Sequence, residues 1–461
     1  MLGGVQRLHL IGIGGIGVSG VARLLSARGY IVQGSDVRES NITQALRHEG
    51  IDVFIGHHKD NLGDSDLVVV STAIPTTNPE WIAASEAGIP VVHRAEVLGQ
   101  LVNNTVTFAM IGTHGKGTVT SMVAWIMECA GWDPSFFIGA NCHNFDTNAR
   151  LRTGPYVIEV DESDGSLVHI RPTHLLLNNL ELDHLNYYSD WDKLANTISK
   201  FVVENQRLEH FVANFDDDGV QRLLWNIEGG RLIGFGFVNE NAEYRGEVHE
   251  ERGLGTRFLV RRESDVLGEI ELPVPGLYNA QNGLGAVALT HSVGIDFAVI
   301  QQALASFRGL ENRFTLAEAG GVQVVKDYIS HPTGIRRVLE AASRIAAGPI
   351  TAVFKPYRFT MIHYLQDEYR ECFRLADHTI VTEMYTAGEV PIPGVDTEFL
   401  CDKIRESGSL VTYIQDMDKI VPYLLEHVSP GEQVLFFGGD DLFRLADHYL
   451  ATLRVQEQNQ L

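Results

Sequence analysis

The sequence predicts an α/β protein built of three blocks, each a largely parallel sheet covered by helices. Three observations carry this. Short apolar runs of strand length alternate with helix-like segments almost throughout the chain, which is the pattern of βαβ units. Glycine-rich turns follow the first strand of the first block and the first strand of the second, where such sheets place their phosphate loops. A length of 461 residues exceeds what one core accommodates, so the alternation is divided among two or three domains.

Taken in order, "RLHLIGIGG" reads as a strand, "GVSGVARLLSARG" as a helix and "YIVQGSD" as the next strand, with "DLVVVSTAI" and "PVVHRAEVLGQLV" completing residues 7–104. A second block begins at "NTVTFAMIG" and continues through "YVIEVDESD", "THLLLNNLELDH" and "HFVANFDDDG". The stretch "RFLVRRESDVLGEIELPVPG" is richer in β signals, and "NAQNGLGAVALTHSVG" is helix-like again. From "NRFTLAEAGGVQVVKDYISHPTGI" the alternation resumes, with "PITAVFKPYRF", "HTIVTEMY", "LVTYIQ" and "QVLFFGGDD" as strands. The expected domains are 1–104, 105–308 and 309–461, and the polar end "RVQEQNQL" reads as a tail.

Composition narrows the function classes. No apolar run is long enough to cross a bilayer, and the glycines of "MLGGVQRLHLIGIGGIG" interrupt what an export signal would need. A cytoplasmic protein without membrane partners is expected. The four cysteines lack CxxC spacing, so they read as free thiols in a reducing compartment. A formal charge of −23 disfavours nucleic acid, whose binding needs many Lys and Arg contacts to phosphates.

Two glycine loops carry the chemistry. In "IGIGGIGVSGVA", Gly12, Gly14 and Gly17 match G-x-G-x-x-G after a strand and at a helix start, where a pyrophosphate can sit on backbone amides. Asp36, ending "YIVQGSD", stands where dinucleotide enzymes grip a ribose hydroxyl. On these residues alone NAD is a fair expectation, and a ligand-free strand–helix turn is the alternative. The second loop, "IGTHGKGTVT", departs from the standard phosphate-loop pattern. Only Thr113 and His114 separate Gly112 from Gly115, and Gly117 follows Lys116 where a serine or threonine is usual. Amides at a helix start, one ammonium and a hydroxyl from Thr118 or Thr120 still meet the physical needs of a phosphate cradle.

Two further strands favour that cradle. "YVIEV" delivers Glu159, Asp161, Glu162 and Asp164 near its C-terminal end, and "THLLLNNLELDH" delivers Asn179, Asp183 and His184. In a parallel sheet these ends share one edge with the loop. Carboxylate and imidazole beside phosphates suit Mg²⁺, which takes oxygen-rich ligands completed by the substrate.

The chain resembles the ATP-dependent Mur ligase family over nearly all of residues 5 to 452. The resemblance rests on "HLIGIGGIGVSGVA", "GSD", "STAIPTTNPE", "RAEVLGQL", "GTHGKGT", "EVDESD", "NLELDH", "PGLYNAQN", "ENRF", "DYISHPTGI", "AVFKPYRFT" and "YTAGEVPIPG", in the family's order. It implies a Rossmann-like N-terminal domain that binds the UDP of a sugar nucleotide, a central P-loop ATPase domain and a Rossmann-like C-terminal domain that closes over it. The implied reaction joins L-alanine to UDP-N-acetylmuramate through an acyl phosphate, with ATP and Mg²⁺ and only small-molecule partners, in a monomer or homodimer.

Residue by residue, the resemblance moves the first loop from NAD to UDP, held by Gly14, Gly15, Gly17, Ser19 and Asp36. It puts ATP on Gly112, Thr113, His114, Gly115, Lys116, Gly117 and Thr118, with Lys116 on the β- and γ-phosphates. Asn279 then faces adenine, and Arg313 and Asp327 meet the nucleotide. Magnesium falls to Thr118, Glu159 and His184, catalysis to Lys116, Glu159 and His184, and the substrate side to His331 and Arg358. Several third-domain positions depart from the family pattern: Lys326 replaces an aspartate, Ser330 a histidine, Gly334 a glutamate, Tyr357 a histidine and Met361 an arginine. Tyr278 also stands where a histidine is usual. These changes are expected on the amino-acid side of the site and leave open a different carboxylate and amine, or nucleotide binding with little ligase activity.

Overall fold

The computed structural model describes residues 2–162, 165–183, 187–188, 190–225, 227 and 232–460. Its strands form three sheets. In the first, all five strands are parallel, with Arg7–Ile11 in the centre, Ile31–Asp36 and Leu67–Val70 beside it, and Asp52–Ile55 and Val91–His93 at the edges. The chain order across the sheet is therefore 3-2-1-4-5, the order of nucleotide-binding doubly wound folds, with its crevice beyond the C-terminal end of the central strand. "PVVHRAEVLGQLV" divides into the short strand Val91–His93 and the helix Arg94–Val102. The helix starts at this point because His93 and Glu96 form a reciprocal capping box.

Among the described residues the second sheet has ten strands, with Thr147–Arg150 antiparallel at one edge. Leu232–Gly236, His210–Asn214, His174–Leu177, Thr107–Ile111, Tyr156–Glu159 and Ser135–Cys142 run parallel in that spatial order. Their residues are mostly buried and apolar without alternation, as strands covered on both faces require. The β-rich stretch of the sequence falls in Gly255–Arg262 and Asp265–Leu272, which with the preceding strand Tyr244–Arg252 form an antiparallel extension at the far edge. The third sheet has Val322–Asp327, Gln433–Phe437, Ile350–Phe354, His378–Val381 and Val411–Tyr413 in parallel, closed by the antiparallel edge strand Thr315–Ala319.

The cores do not divide the way the sheets do. One apolar cluster runs through the first two blocks, including Leu10, Val21 and Leu25 of the first with Phe137, Leu175 and Leu177 of the second. The helix Ile16–Ala27, which follows the first glycine loop, is wedged against the second sheet. A Cβ on Gly20 would lie 2.7 Å from the Phe137 ring, so only glycine permits this approach. Polar bonds reinforce the seam: Asn148 donates to Ile16 C=O (2.8 Å) and accepts from Arg23 (2.6 Å), while Arg28 donates to the Tyr156 hydroxyl (2.8 Å). The third block has its own core around Val325, Leu339, Phe354 and Phe437. The chain leaves the second core only after the buried Leu310.

Between second and third blocks lies the helix Pro332–Ile345. Proline at its first position and the His331 cap start it, and Ile335, Val338, Leu339 and Ala342 give it a buried stripe at helical spacing. Its last turn is tied to the second block by an ion pair between Arg344 and Glu251. Among the described residues no helix is long and apolar enough to cross a membrane.

Candidate active site

The second glycine loop joins the strand Thr107–Ile111 to the helix Lys116–Cys129. Gly112 (φ +139°) and Gly115 (φ +74°) take conformations that L side chains rarely adopt. A Cβ on Gly115 would also stand 2.7 Å from Asn282 Oδ1. No side chain caps the helix, so its first amides remain available to a bound anion. The loop is braced from the next strand end. The His114 N–H donates to Asn179 Oδ1 (2.7 Å), and the His114 C=O accepts from Asn179 (2.9 Å) and Asn178 (3.1 Å). Asn178 also donates to Asn282 (2.7 Å), which donates to Asn279 (3.1 Å), whose own amide donates to Pro275 C=O. A chain of amides thus links the buried Asn279 to the phosphate loop.

Lys116 donates to both oxygens of Glu162 at 3.0 Å and to Gly112 C=O at 2.8 Å. Burial works against its charge, but Glu162, Asp161 and Glu159 outweigh it and raise its pKa above the ordinary lysine value. These carboxylates favour the charged ammonium. Of the two candidate hydroxyls, Thr120 is buried and committed to Lys116 C=O (2.7 Å), which leaves Thr118.

A side chain at position 117 would crowd Glu159. A Cβ on Gly117 would lie 3.2 Å from Glu159 Oε2, and one on Gly139 2.8 Å from it. Glu159 is thus held between two glycines, with Gly139 N–H donating to it at 2.7 Å. The register pairs Glu159 with Met110, one residue before the end of the loop's strand. A carboxylate and the Thr118 hydroxyl beside a phosphate cradle are the hard oxygen donors that Mg²⁺ takes. His184, the remaining expected ligand, lies outside the described residues, as does Asp164.

Glu181 follows the same strand end. Its N–H donates to the Thr113 hydroxyl (2.8 Å), which donates to its C=O (3.1 Å). Its carboxylate Oε2 lies 3.3 Å from His114 Nε2, accepts from Thr333 Oγ1 (2.8 Å) and stands 3.7 Å from His331 Nδ1. Burial would raise its pKa, yet His114, His331 and Thr333 prevail and hold it down to about 2.

On the third-block side, Asp327 ends its strand buried, accepting from Phe314 N–H (2.8 Å) with Arg313 Nη1 3.9 Å away. Burial pushes its carboxyl up to about 6 against the opposing pull of Arg313 and the Phe314 amide. The folded pKa lies above the unfolded one, so this residue costs stability as pH rises from about 4 to about 6, and by a constant amount above that. Asp327→Asn is expected to raise stability at pH 8 by up to about 3 kcal/mol and to leave it nearly unchanged at pH 4, measured by denaturant unfolding at both pH values. Equal shifts at the two pH values would refute the assignment.

Arg358 has φ +63°, lies 5.0 Å over the Tyr357 ring and reaches Glu389 at 3.4 Å. Tyr357 in turn stacks on Tyr385. Tyr278 packs against the third core, and burial and the charge of Asp327 raise its pKa. The other departures do not all face the site. Lys326 alternates to the opposite side of its strand and pairs with Asp447 of the last helix (2.7 Å). Met361 is buried in the apolar core, so the expected loss of a guanidinium at the site is corrected to a core substitution. A Cβ on Gly334 would strike Ile329 Cδ1 at 2.4 Å, leaving no room for a glutamate in this packing. Ser330 presents its C=O to the Tyr369 hydroxyl (2.7 Å).

At the first glycine loop, Gly14 N–H donates to Asp36 Oδ2 (2.9 Å), and Gly15 opens the helix without a side-chain cap. Ser19 is buried and its hydroxyl donates to Ile16 C=O, so that side chain does not face the loop mouth. A Cβ on Gly17 would stand 3.1 Å from Arg94 Nη1. Sequence reasoning missed Arg94, although a signal was present. The signal was a cation at the first position of a helix, where it opposes the macrodipole.

Family comparison matches residues 7–105 to the Mur ligase family catalytic domain, 111–290 to the Mur ligase middle domain and 312–439 to the Mur ligase glutamate ligase domain. The chain is 40% identical to UDP-N-acetylmuramate–L-alanine ligase of Mesorhizobium japonicum, covering 96% of this chain and 97% of that protein. It is 37% identical to the enzyme of the same name from Geobacter sp. over the full length of both. The crystal structure of UDP-N-acetylmuramate-alanine ligase from Thermotoga maritima superposes with a TM-score of 0.83 at 28% identity, covering 98% and 99% of the two chains.

Proposed function

This chain belongs to the Mur ligase family, and from that premise we propose that it is an ATP-dependent ligase joining L-alanine to UDP-N-acetylmuramate in peptidoglycan precursor synthesis. The observation that carries the reading is the arrangement around Lys116: a charged ammonium inside a glycine loop, a carboxylate cradled by Gly117 and Gly139 beside it, and the third block's helix seated on the same edge. We assign residues 1–104 to UDP-sugar binding, 105–308 to ATP and 309–461 to closure over both, in a cytoplasmic enzyme.

The muramyl carboxylate attacks the γ-phosphorus of ATP and ADP leaves, giving an acyl phosphate. The amine of alanine then displaces inorganic phosphate and loses a proton, forming the amide. Such transfer mostly requires positioning and charge neutralisation. Lys116 and the amides of Gly112 to Thr118 neutralise the transferred phosphate, and Arg313 and Asp327 meet the nucleotide from the third block. Glu159 and Thr118, with His184, would hold Mg²⁺, which would supply positive charge against that of the transferred phosphate. Gly14, Gly15 and Gly17 receive the UDP diphosphate, with Arg94 as an added cation. His331 and Arg358 face the amino acid. Lys326 lies away from this edge and Met361 in the core, so two departures leave the amino-acid pocket untouched. That supports alanine over a different amine.

The test is direct. With ATP, Mg²⁺, UDP-N-acetylmuramate and L-alanine together, the protein is expected to release phosphate and yield UDP-muramyl-alanine by mass spectrometry, and to stop when either acceptor is omitted. ATP binding without substrate-dependent phosphate release would overturn the reading.

A further inference from the structure

The phosphate loop and the third block meet at the Glu181 carboxylate and at the rings of His114 and His331, whose centroids lie 4.7 Å apart. We propose that Glu181 is a positioning residue: it transmits the seating of the helix Pro332–Ile345 to the phosphate loop, so that the third block's groups meet the nucleotide in register. This inference rests on the ligase reading given above.

The geometry has two halves. The backbone of Glu181 is clamped to the loop by Thr113, which accepts from its N–H and donates to its C=O. Its carboxylate reaches the other way, with Oε2 shared by His114 of the loop and Thr333 of the third block, and His331 Nδ1 3.7 Å away. The carboxylate also sits at the N-terminal end of the helix Pro332–Ile345, where the helix dipole favours an anion. Thr333 is six residues from Asp327, and that strand end and helix start are joined by one short turn. Holding Thr333 therefore holds Asp327. Contacts farther along the helix, at Arg344 with Glu251, bear on the hairpin edge of the sheet and do not touch the loop.

The cluster His114, Glu181 and His331 brings three potential ligand atoms within 4.8 Å of one another. A metal centre is the weaker account, because His331 Nδ1 already accepts the Thr333 N–H (3.3 Å) in capping the helix. Hydrogen bonding to one carboxylate oxygen explains the arrangement without an ion.

The full chain would be compared with Glu181→Gln, Thr333→Val and the double variant. Steady-state kinetics, ATP affinity by calorimetry, and hydrogen exchange of the helix Pro332–Ile345 would be measured. Glu181→Gln is expected to lower kcat about 10- to 100-fold while the ATP Kd stays within about threefold, because Asn178, Asn179 and Thr113 still brace the loop. Exchange in the first turn of the helix should accelerate, and the double variant should fall no further than the worse single one, as for residues acting through one contact. An unchanged kcat, an ATP Kd that weakens as much as kcat falls, or additive losses would each overturn the proposal. Should the wild-type chain make no UDP-muramyl-alanine, the ligase reading fails instead. The exchange measurement, which needs no turnover, still decides whether Glu181 seats the helix.

Discussion

Replacing Lys116 with alanine is expected to lower ligase turnover about a hundred- to a thousandfold, the scale of losing one preorganised charge-stabilising donor. The same change removes the cation from Glu162, whose side chain is 5% exposed. Removing one partner of such a buried pair costs about 3–5 kcal/mol, because the remaining charge is left without compensation. The two effects separate in the double variant Lys116→Ala/Glu162→Gln, which should recover most of the lost thermal stability and none of the turnover. Turnover restored with stability would mean that Lys116 acts only as a structural ion-pair partner. Phosphate release in the presence of both acceptors, read alongside thermal unfolding, checks both halves.

Gly139→Ala is the second change with a large expected effect, and it replaces neither a loop residue nor a proposed ligand. A methyl group there would stand 2.8 Å from Glu159 Oε2. The carboxylate is the movable end of a side chain, so the fold tolerates the change, with an expected loss of stability near 1 kcal/mol, typical of a single substitution. The carboxylate, however, is pushed from its place beside Gly117. Turnover is expected to fall about a hundredfold, with a rise in the Mg²⁺ concentration needed for half-maximal rate, because the cation loses an oriented ligand. A variant with unaltered metal dependence would remove Glu159 from the proposed metal site.

The parts of this site legible in the sequence were those set by local chemistry. Glycines in a strand–turn–helix context announced both loops, and carboxylates after apolar runs announced the shared sheet edge, since parallel strands place such ends together. The odd position of Gly117 was legible as a departure. Its closeness to Glu159 was not, because that contact is made across the sheet. The same holds for Glu181, whose neighbours His331 and Thr333 lie about 150 residues downstream. Lys326 and Met361 looked like changes to the site because they sit in site motifs. Strand alternation turns the first away and helix packing buries the second. Chain topology suggested a boundary near 105, whereas side-chain packing crosses it without a break.

That unbroken packing has a geometric outcome. With Gly20 locked against Phe137 and Asn148 stitched to Ile16, the first and second glycine loops are mounted on one chassis. The span between them is thus set by side-chain packing, and under the proposed reading a sugar nucleotide anchored at the first loop would present its carboxylate at a preset reach from the second.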